Sequence, residues 1–254
     1  MADDGYESDY QPPVPFTLRM FAGGSIQYTT THNDHNVYTT PLIGDICTRK
    51  SQLLEQPFIK HGKSGWLVFV SVSHKWYANT SDQLVLNEIQ RYVYRTPPDS
   101  AIQSSNNNDG TAKTISTSNT TKSAPDYLVE RTDIHCDEIL LFRYSALTWN
   151  AHQIHYDYNW AKSEGYSGVL VHGPLQATLC IDTIYTYITS NNIGTLQSYE
   201  YRAQRPLVAN TDITIVVYRS KMINDTVHEY TIQIIPRTGH DPAYFTSTAV
   251  VRLK

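Results

Sequence analysis

Residues 103–125, QSSNNNDGTAKTISTSNTTKSAP, constrain the fold more than any other stretch of this chain. They are polar and almost free of large apolar side chains, so they cannot bury a core and are predicted to be a mobile linker or long surface loop. That run divides the 254 residues into 1–102 and 126–254, two halves of about single-domain size. Each half must find its own apolar faces, and the two do so differently.

The composition narrows the function classes. Lys+Arg 20 against Asp+Glu 24 leaves a formal charge of −4, so no basic field draws the chain to nucleic acid or to an anionic membrane surface. No apolar run approaches the roughly 20 residues that a membrane helix needs. A mean hydropathy of −0.40 with 40% hydrophobic residues fits a globular protein. Cys47, Cys136 and Cys180 are odd in number, widely spaced and without a CxxC, which points away from a disulfide framework or zinc knuckle and toward a reducing compartment. The first fifteen residues hold Asp3, Asp4, Glu7 and Asp9 and no basic residue, so no intact presequence is visible; Met1 is either the native start or a start placed after a removed presequence. A native start implies the cytoplasm.

In the first half, residues 65–77 and 83–95 alternate apolar and polar side chains or run continuously apolar, as strands do, with a polar hairpin turn between them. Residues 43–60 read as a strand pair or a bent strand. In the second half, residues 137–148 carry a short helical signal, and 174–188, PLQATLCIDTIYTYI, carry the strongest. Pro174 suits the first helical position and Gly173 the N-cap. Leu175, Leu179, Ile184 and Ile188 form one apolar face, and Cys180, Ile181 and Tyr185 widen it until most of the cylinder is apolar and a buried helix is expected. Asn191, Asn192 and Gly194 end it. Strands at 212–222, 228–237 and 244–254 follow. An antiparallel meander around one buried helix is the economical arrangement, and the fold class is α+β.

Polar residues concentrate just ahead of that helix: Asn150, His152, His155, Asp157 and His172. Three readings compete. His152 and His155, at i and i+3, share a helical face and suit a metal, although no Cys lies nearby. Alternatively, the histidines are core or surface residues with backbone partners. The third reading is an acid/base centre beside an oxyanion site: His exchanges protons near neutral pH, and a glycine at a helix N-terminus leaves backbone N–H groups free for developing negative charge. Together these suit addition or removal of water next to a thioester carbonyl.

The segments YSALTWNAHQIHYD and GYSGVLVHGPLQATL resemble the catalytic half of the MaoC-like hydratases and dehydratases, closest to the hydroxyacyl-thioester dehydratase type 2 and mesaconyl-type CoA hydratase branch. RMFAGGSIQY, PLIGDICTRKSQL, KHGKSGWLVFVSVSH and residues 88–95 are similar to that branch's non-catalytic half. The resemblance implies a double hot-dog, with residues 1–102 as the non-catalytic half, which shapes the acyl pocket, and 126–254 as the catalytic half. The sequence shows no convincing central helix in the first half. By the resemblance His155 is the acid/base residue and Gly173 the oxyanion glycine. The family's Asp falls on Asn150, which orients a water but cannot take its proton. Asn150 and His152 are therefore assigned to positioning, with Asp157 a candidate for the vacant carboxylate role and His172 a candidate for substrate contact. Residues 201–208, YRAQRPLV, are similar to the strand bordering the thioester tunnel, where Arg202 or Arg205 meets a phosphate.

The resemblance implies a hydro-lyase that dehydrates a 3-hydroxyacyl thioester to the trans-2-enoyl form. The substrate is carried on acyl carrier protein or CoA, in mitochondrial fatty acid synthesis. Two alternatives are a hydratase of a short branched diacid CoA thioester and a non-catalytic acyl-thioester binding module. No metal or external cofactor is needed, because the thioester supplies the electron sink. The assembly is expected to be a monomeric double hot-dog or a homodimer.

Overall fold

The computed structural model describes residues 9–29, 44–62, 65–78, 83–96, 127–238 and 242–254; the linker expected at 103–125 lies outside the described residues. Among these residues the first half supplies five strands, β1 (Leu18–Tyr28), β2 (Cys47–Leu53), β3 (Phe58–Gly62), β4 (Gly65–Ala78) and β5 (Gln83–Arg95). The second half supplies β6 (Tyr127–Cys136), α1 (Glu138–Thr148), α2 (Tyr158–Ser163), α3 (Gly173–Ser190), β7 (Gly194–Ala203), β8 (Thr211–Asn224), β9 (Val227–Pro236) and β10 (Phe245–Leu253). The strands form one antiparallel sheet in the order β2-β4-β5-β1-β7-β10-β9-β8-β6, with β3 beside β4. Strands β1 and β6 and the short helix α2 are additions to the sequence-based reading, and β7 begins ahead of the strand that the resemblance implies at 201–208. The alternation of β6 and β7 is diluted by Thr, Glu and Arg, and that of β1 by Gly23 and Gly24.

The halves meet where β1 pairs with β7, Gly24 opposite Tyr201 and Ile26 opposite Tyr199. A side chain at Gly24 would come within 2.2 Å of the Ile89 carbonyl oxygen and 2.5 Å of the Tyr201 hydroxyl, so only glycine lets the strands close there. One residue earlier a bulge between Phe21 and Gly23 shifts the register of β1 against β5. Bulges re-aim side chains. Phe21 stacks on Tyr201 at 5.7 Å and meets the edge of Tyr92 at 6.0 Å.

The core lies under α3. Its Leu175, Ala177, Cys180, Ile184 and Ile188 are buried against alternating residues of the sheet: Tyr230, Ile232 and Ile234 from β9, and Phe245, Ala249 and Val251 from β10. Tyr185 is 55% exposed, which corrects the expectation of burial over most of the helix surface: the sheet covers one side of α3 and solvent the other. The start of α3 also moves by one residue. His172 is the N-cap and Gly173 the first helical residue, with Pro174 in the first turn where its missing N–H leaves no bond unmade. In the first half a smaller cluster, Val68, Val70, Val72, Tyr92 and Tyr94, is joined by Phe16 and Phe21, and no helix occurs among its described residues.

Candidate active site

The site is built from the ends of short elements between β6 and α3. Asp137 caps α1 by accepting from the Leu140 N–H at 2.7 Å, and Trp149 closes the helix in the left-handed conformation. The chain then turns so that the Asn150 Oδ1 accepts from the His152 N–H at 3.1 Å. A single 3-10 turn, Gln153–His155, follows, with His152 as its N-cap. The Asp157 carboxylate accepts from the N–H groups of Asn159 and Trp160 at 2.9 and 3.0 Å, capping α2. Asp157 is thus spent on a helix cap and lines neither of the cavities described below.

His155 is held from three sides. Its Nδ1 lies 2.8 Å from the Leu170 carbonyl oxygen. A carbonyl only accepts, so Nδ1 carries the proton and Nε2 presents its lone pair. Leu170 is itself pinned: its N–H donates to the Ile154 carbonyl, and Leu170 bridges Val208. The buried His172 ring stacks on His155 at 3.6 Å with 21° between planes, and the His152 ring stands edge-on at 5.6 Å. Burial, reinforced by the His172 and His152 rings, holds the His155 imidazole well below its usual range, against the smaller upward pull of the Leu170 carbonyl. Burial likewise pulls His172 down to about 4. Both rings are therefore neutral at pH 7, as a proton acceptor must be.

A cleft of about 260 Å³ collects Asn150, His152, His155, Gly173 and Gln176 from the second half with Arg19, Phe21 and Tyr92 from the first. Arg205 lines it too. Its guanidinium lies over Tyr244 at 3.8 Å, and its Nε donates to the Pro242 carbonyl at 2.9 Å. Arg202 lies on β7, exposed and away from both cavities. Gly173 lines the cleft at the N-terminus of α3, where its N–H has no partner among the described residues. A Cβ on Gly173 would fall 2.4 Å from Phe21 Cδ1, so the glycine is what lets the aromatic ring of the first half close over the helix start. The helix dipole adds partial positive charge there.

A second cavity of about 400 Å³ shares Arg19, Phe21, Tyr92, Asn150 and Pro174 with the first and extends over the first-half sheet. One part of its wall is polar, with Arg19, Arg49, Ser51, His74, Glu88 and Gln90, and the rest is apolar or aromatic, including Ile26, Val72, Ala177, Ile181 and Tyr199. Ser51 Oγ and His74 Nδ1 are 2.8 Å apart, and the Arg19 guanidinium lies 3.8 Å over Tyr92.

The structure thus brings together Asn150, His152, His155, Gly173 and Arg205 around one cleft, with His172 buried beneath His155. Sequence reasoning missed the first-half walls, Arg19, Phe21 and Tyr92, which reach the site only through the β1–β7 joint. Gln176 was also missed, yet it left a signal: an amide in an otherwise apolar helix face, three residues after Gly173, now buried. The Leu170 carbonyl leaves none. Among the described residues no group of three His, Cys, Asp or Glu side chains is placed to hold a metal ion, and no helix is long and apolar enough to cross a membrane.

Comparison with known proteins follows the same outline. A family model described as hydroxyacyl-thioester dehydratase type 2 matches residues 1–209. Mesaconyl-C(4)-CoA hydratase of Chloroflexus aurantiacus is 31% identical over 210 residues, 82% of this chain, and the chain spans 64% of that protein's length. Hydroxyacyl-thioester dehydratase type 2, mitochondrial, of Schizosaccharomyces pombe is 26% identical over 255 residues, covering 92% of this chain and 76% of the yeast protein. Among solved structures, a MaoC-like dehydratase superposes with a TM-score of 0.70 at 14% identity, over 95% of this chain and 77% of its own. A Mycobacterium tuberculosis protein described as a double hot-dog superposes with a TM-score of 0.56 at 14% identity, over 91% of this chain and 74% of its own. The fold is a double hot-dog.

Proposed function

We propose, for a chain that belongs to the hydroxyacyl-thioester dehydratase type 2 family, that it adds and removes water across C2–C3 of an acyl thioester. His155 is the proton carrier, Gly173 the oxyanion donor and Asn150 the group that orients the water. The observation that carries this reading is the neutral His155 with Nδ1 tied to Leu170, in the same cleft as the Gly173 N–H, which has no partner among the described residues.

In the dehydration direction, His155 Nε2 takes the proton from C2. The electrons of that C–H bond form the enolate, whose oxygen accepts from the Gly173 N–H. As the enolate collapses to the C2=C3 double bond, the C3–O bond breaks and the leaving oxygen takes the proton back from His155 as water. Hydration reverses these steps. One residue moves the proton twice, which removes the need for the carboxylate that Asn150 replaces.

The acyl group extends into the 400 Å³ cavity. The charged part of its wall favours a short acyl group with a polar or carboxylate end, as in the compound named for the Chloroflexus relative, because a long alkyl chain would displace water from the Arg49 guanidinium. The fatty-acyl reading, on acyl carrier protein in mitochondria, is supported by the yeast relative's name. Arg205 at the cleft rim suits the phosphate of a CoA or carrier arm. Turnover of crotonyl-CoA, a long-chain trans-2-enoyl-CoA and mesaconyl-CoA, followed at the enoyl absorbance with wild type and His155→Ala, tests both levels. The wild type is expected to hydrate at least one of them, short or diacid before long, and His155→Ala to lose about 10²- to 10⁴-fold in kcat. A folded, fully active His155→Ala protein overturns the assignment, and a preference for the long chain restores the fatty-acyl reading.

A further inference from the structure

His172 has no role in the steps above, yet it is fully buried in contact with the group that moves the proton. Its Nε2 lies 2.9 Å from Ser145 Oγ on α1, and the Tyr144 ring meets its edge at 5.0 Å. Its Nδ1 is buried and has no partner among the described residues. A buried imidazole nitrogen without a partner is costly, and a methyl-bearing or aromatic side chain would avoid that cost. The ring is nonetheless stacked face to face on His155.

We propose that His172, clamped by Ser145, is the positioning residue for His155. Its flat ring fills one face of the His155 imidazole, while the Leu170 carbonyl fixes one edge. Together they leave a single orientation in which Nε2 faces the cleft. This inference rests on His155 being the proton carrier. The arrangement has an electrical side as well. The titratable groups facing His172 are His155, His152 and Tyr144, none of them a carboxylate, so a proton on His172 is opposed by burial first and by His152 second. The platform therefore stays neutral, and water is kept off the covered face of His155.

The test compares His172→Phe, which keeps a flat ring, His172→Ala, which removes it, and Ser145→Ala, which removes only the clamp. Each is read by histidine NMR titration of the free protein and by kcat and KM for crotonyl-CoA across pH. His172→Ala is expected to lower kcat about 10- to 100-fold with KM changed less than about threefold, since misplacing a catalytic group by an ångström has effects of that order. In that variant His155 is expected to titrate at higher pH, because water reaches its uncovered face. His172→Phe keeps kcat within about fivefold, and Ser145→Ala falls between the two. An unmoved His155 titration in folded Ser145→Ala and His172→Ala overturns the platform. So does a His172→Phe protein that loses as much as His172→Ala. If His172→Ala does not fold, Ser145→Ala decides: a His155 titration unmoved there, relative to wild type and to the ring-keeping His172→Phe, overturns the platform. The NMR arm reads the platform even where wild type turns over none of the three thioesters, so failure of the reaction assignment is seen separately.

Discussion

The two halves of the sheet have similar strands but opposite interiors. The second wraps α3 and closes a deep apolar core around Ile184, Tyr230, Ile232 and Phe245. In the first, a small cluster of valines and tyrosines lies on β4 and β5, and the neighbouring concave face carries Arg19, Arg49, His74 and Glu88 around a cavity. The sheet that packs on a helix closes a core and presents a helix N-terminus; where no helix covers it among the described residues, a cavity remains that residues of α3 and β7 also line. The halves meet there at Phe21 and Gly173.

Core truncations break this comparison most directly. Ile184→Ala, in the filled half, is expected to destabilise by about 3–5 kcal/mol, the range for a large aliphatic cut from a packed interior. Val70→Ala, in the open half, removes less and leaves a site better able to collapse, so about 1–2 kcal/mol is expected. Urea unfolding measures both. Equal losses would show that the first half is packed as tightly as the second.

The joint is next. Gly173→Ala pushes a methyl into Phe21, and one of the two must move. Turnover is expected to fall about 10- to 100-fold, because the oxyanion N–H shifts with the helix start. Gly173→Ala combined with Phe21→Leu should recover part of the loss. No recovery would mean that Phe21 does not set the position of Gly173.

Acid stability sharpens the comparison further, since the histidines held low among the described residues, His155, His172 and His228, lie in the second half. His172 is pulled to about 4 and His155 well below 6.5 in the folded state, so the unfolded chain binds more protons as pH falls below 6.5. The sign follows: stability is highest above about 6.5 and is lost progressively as pH drops toward 4. His172→Phe removes one of these groups and should flatten the slope of Tm against pH. An unchanged slope would place the acid sensitivity elsewhere.

Much of this was legible in the sequence, and the rest was hidden for physical reasons. The spacing of β4, β5, β8, β9 and β10 and the pattern of α3 follow from periodicity alone. The exposure of Tyr185 does not, because seven apolar side chains on a helix do not say how far a sheet will curve around it. His155 and Gly173 stand out as residue types, but their meeting depends on Leu170 being pinned to Ile154 and Val208, which no residue type announces. Asp157 looked free in sequence because a capping Asp and a catalytic Asp have the same side chain and differ only in what their neighbours' N–H groups do. Arg202 and Arg205 are three residues apart, yet β7 ends at Ala203, so one stays on the strand surface and the other turns to the cleft rim.

The smallest expected effect is also the most discriminating for the second half. Asn150 lines both cavities, and its Oδ1 accepts from the His152 N–H. Asn150→Asp keeps that acceptor and the shape of the side chain, so the turn into Gln153–His155 should survive. The new carboxylate brings negative charge toward His155 and His152, which favours the protonated imidazole and raises the His155 pKa. Hydration needs His155 unprotonated, so the acid limb of the kcat/KM profile should move to higher pH. At alkaline pH turnover should stay within about threefold of wild type, since the carboxylate can now share the proton with the imidazole. Wild type and Asn150→Asp profiles on the same thioester measure the shift. A profile that does not move in a folded, active Asn150→Asp protein would show that residue 150 does not face His155 across the bound substrate. The water would then be oriented by another group in the cleft, and Gln176, buried with its Oε1 unpartnered among the described residues, is the side chain placed to take that part.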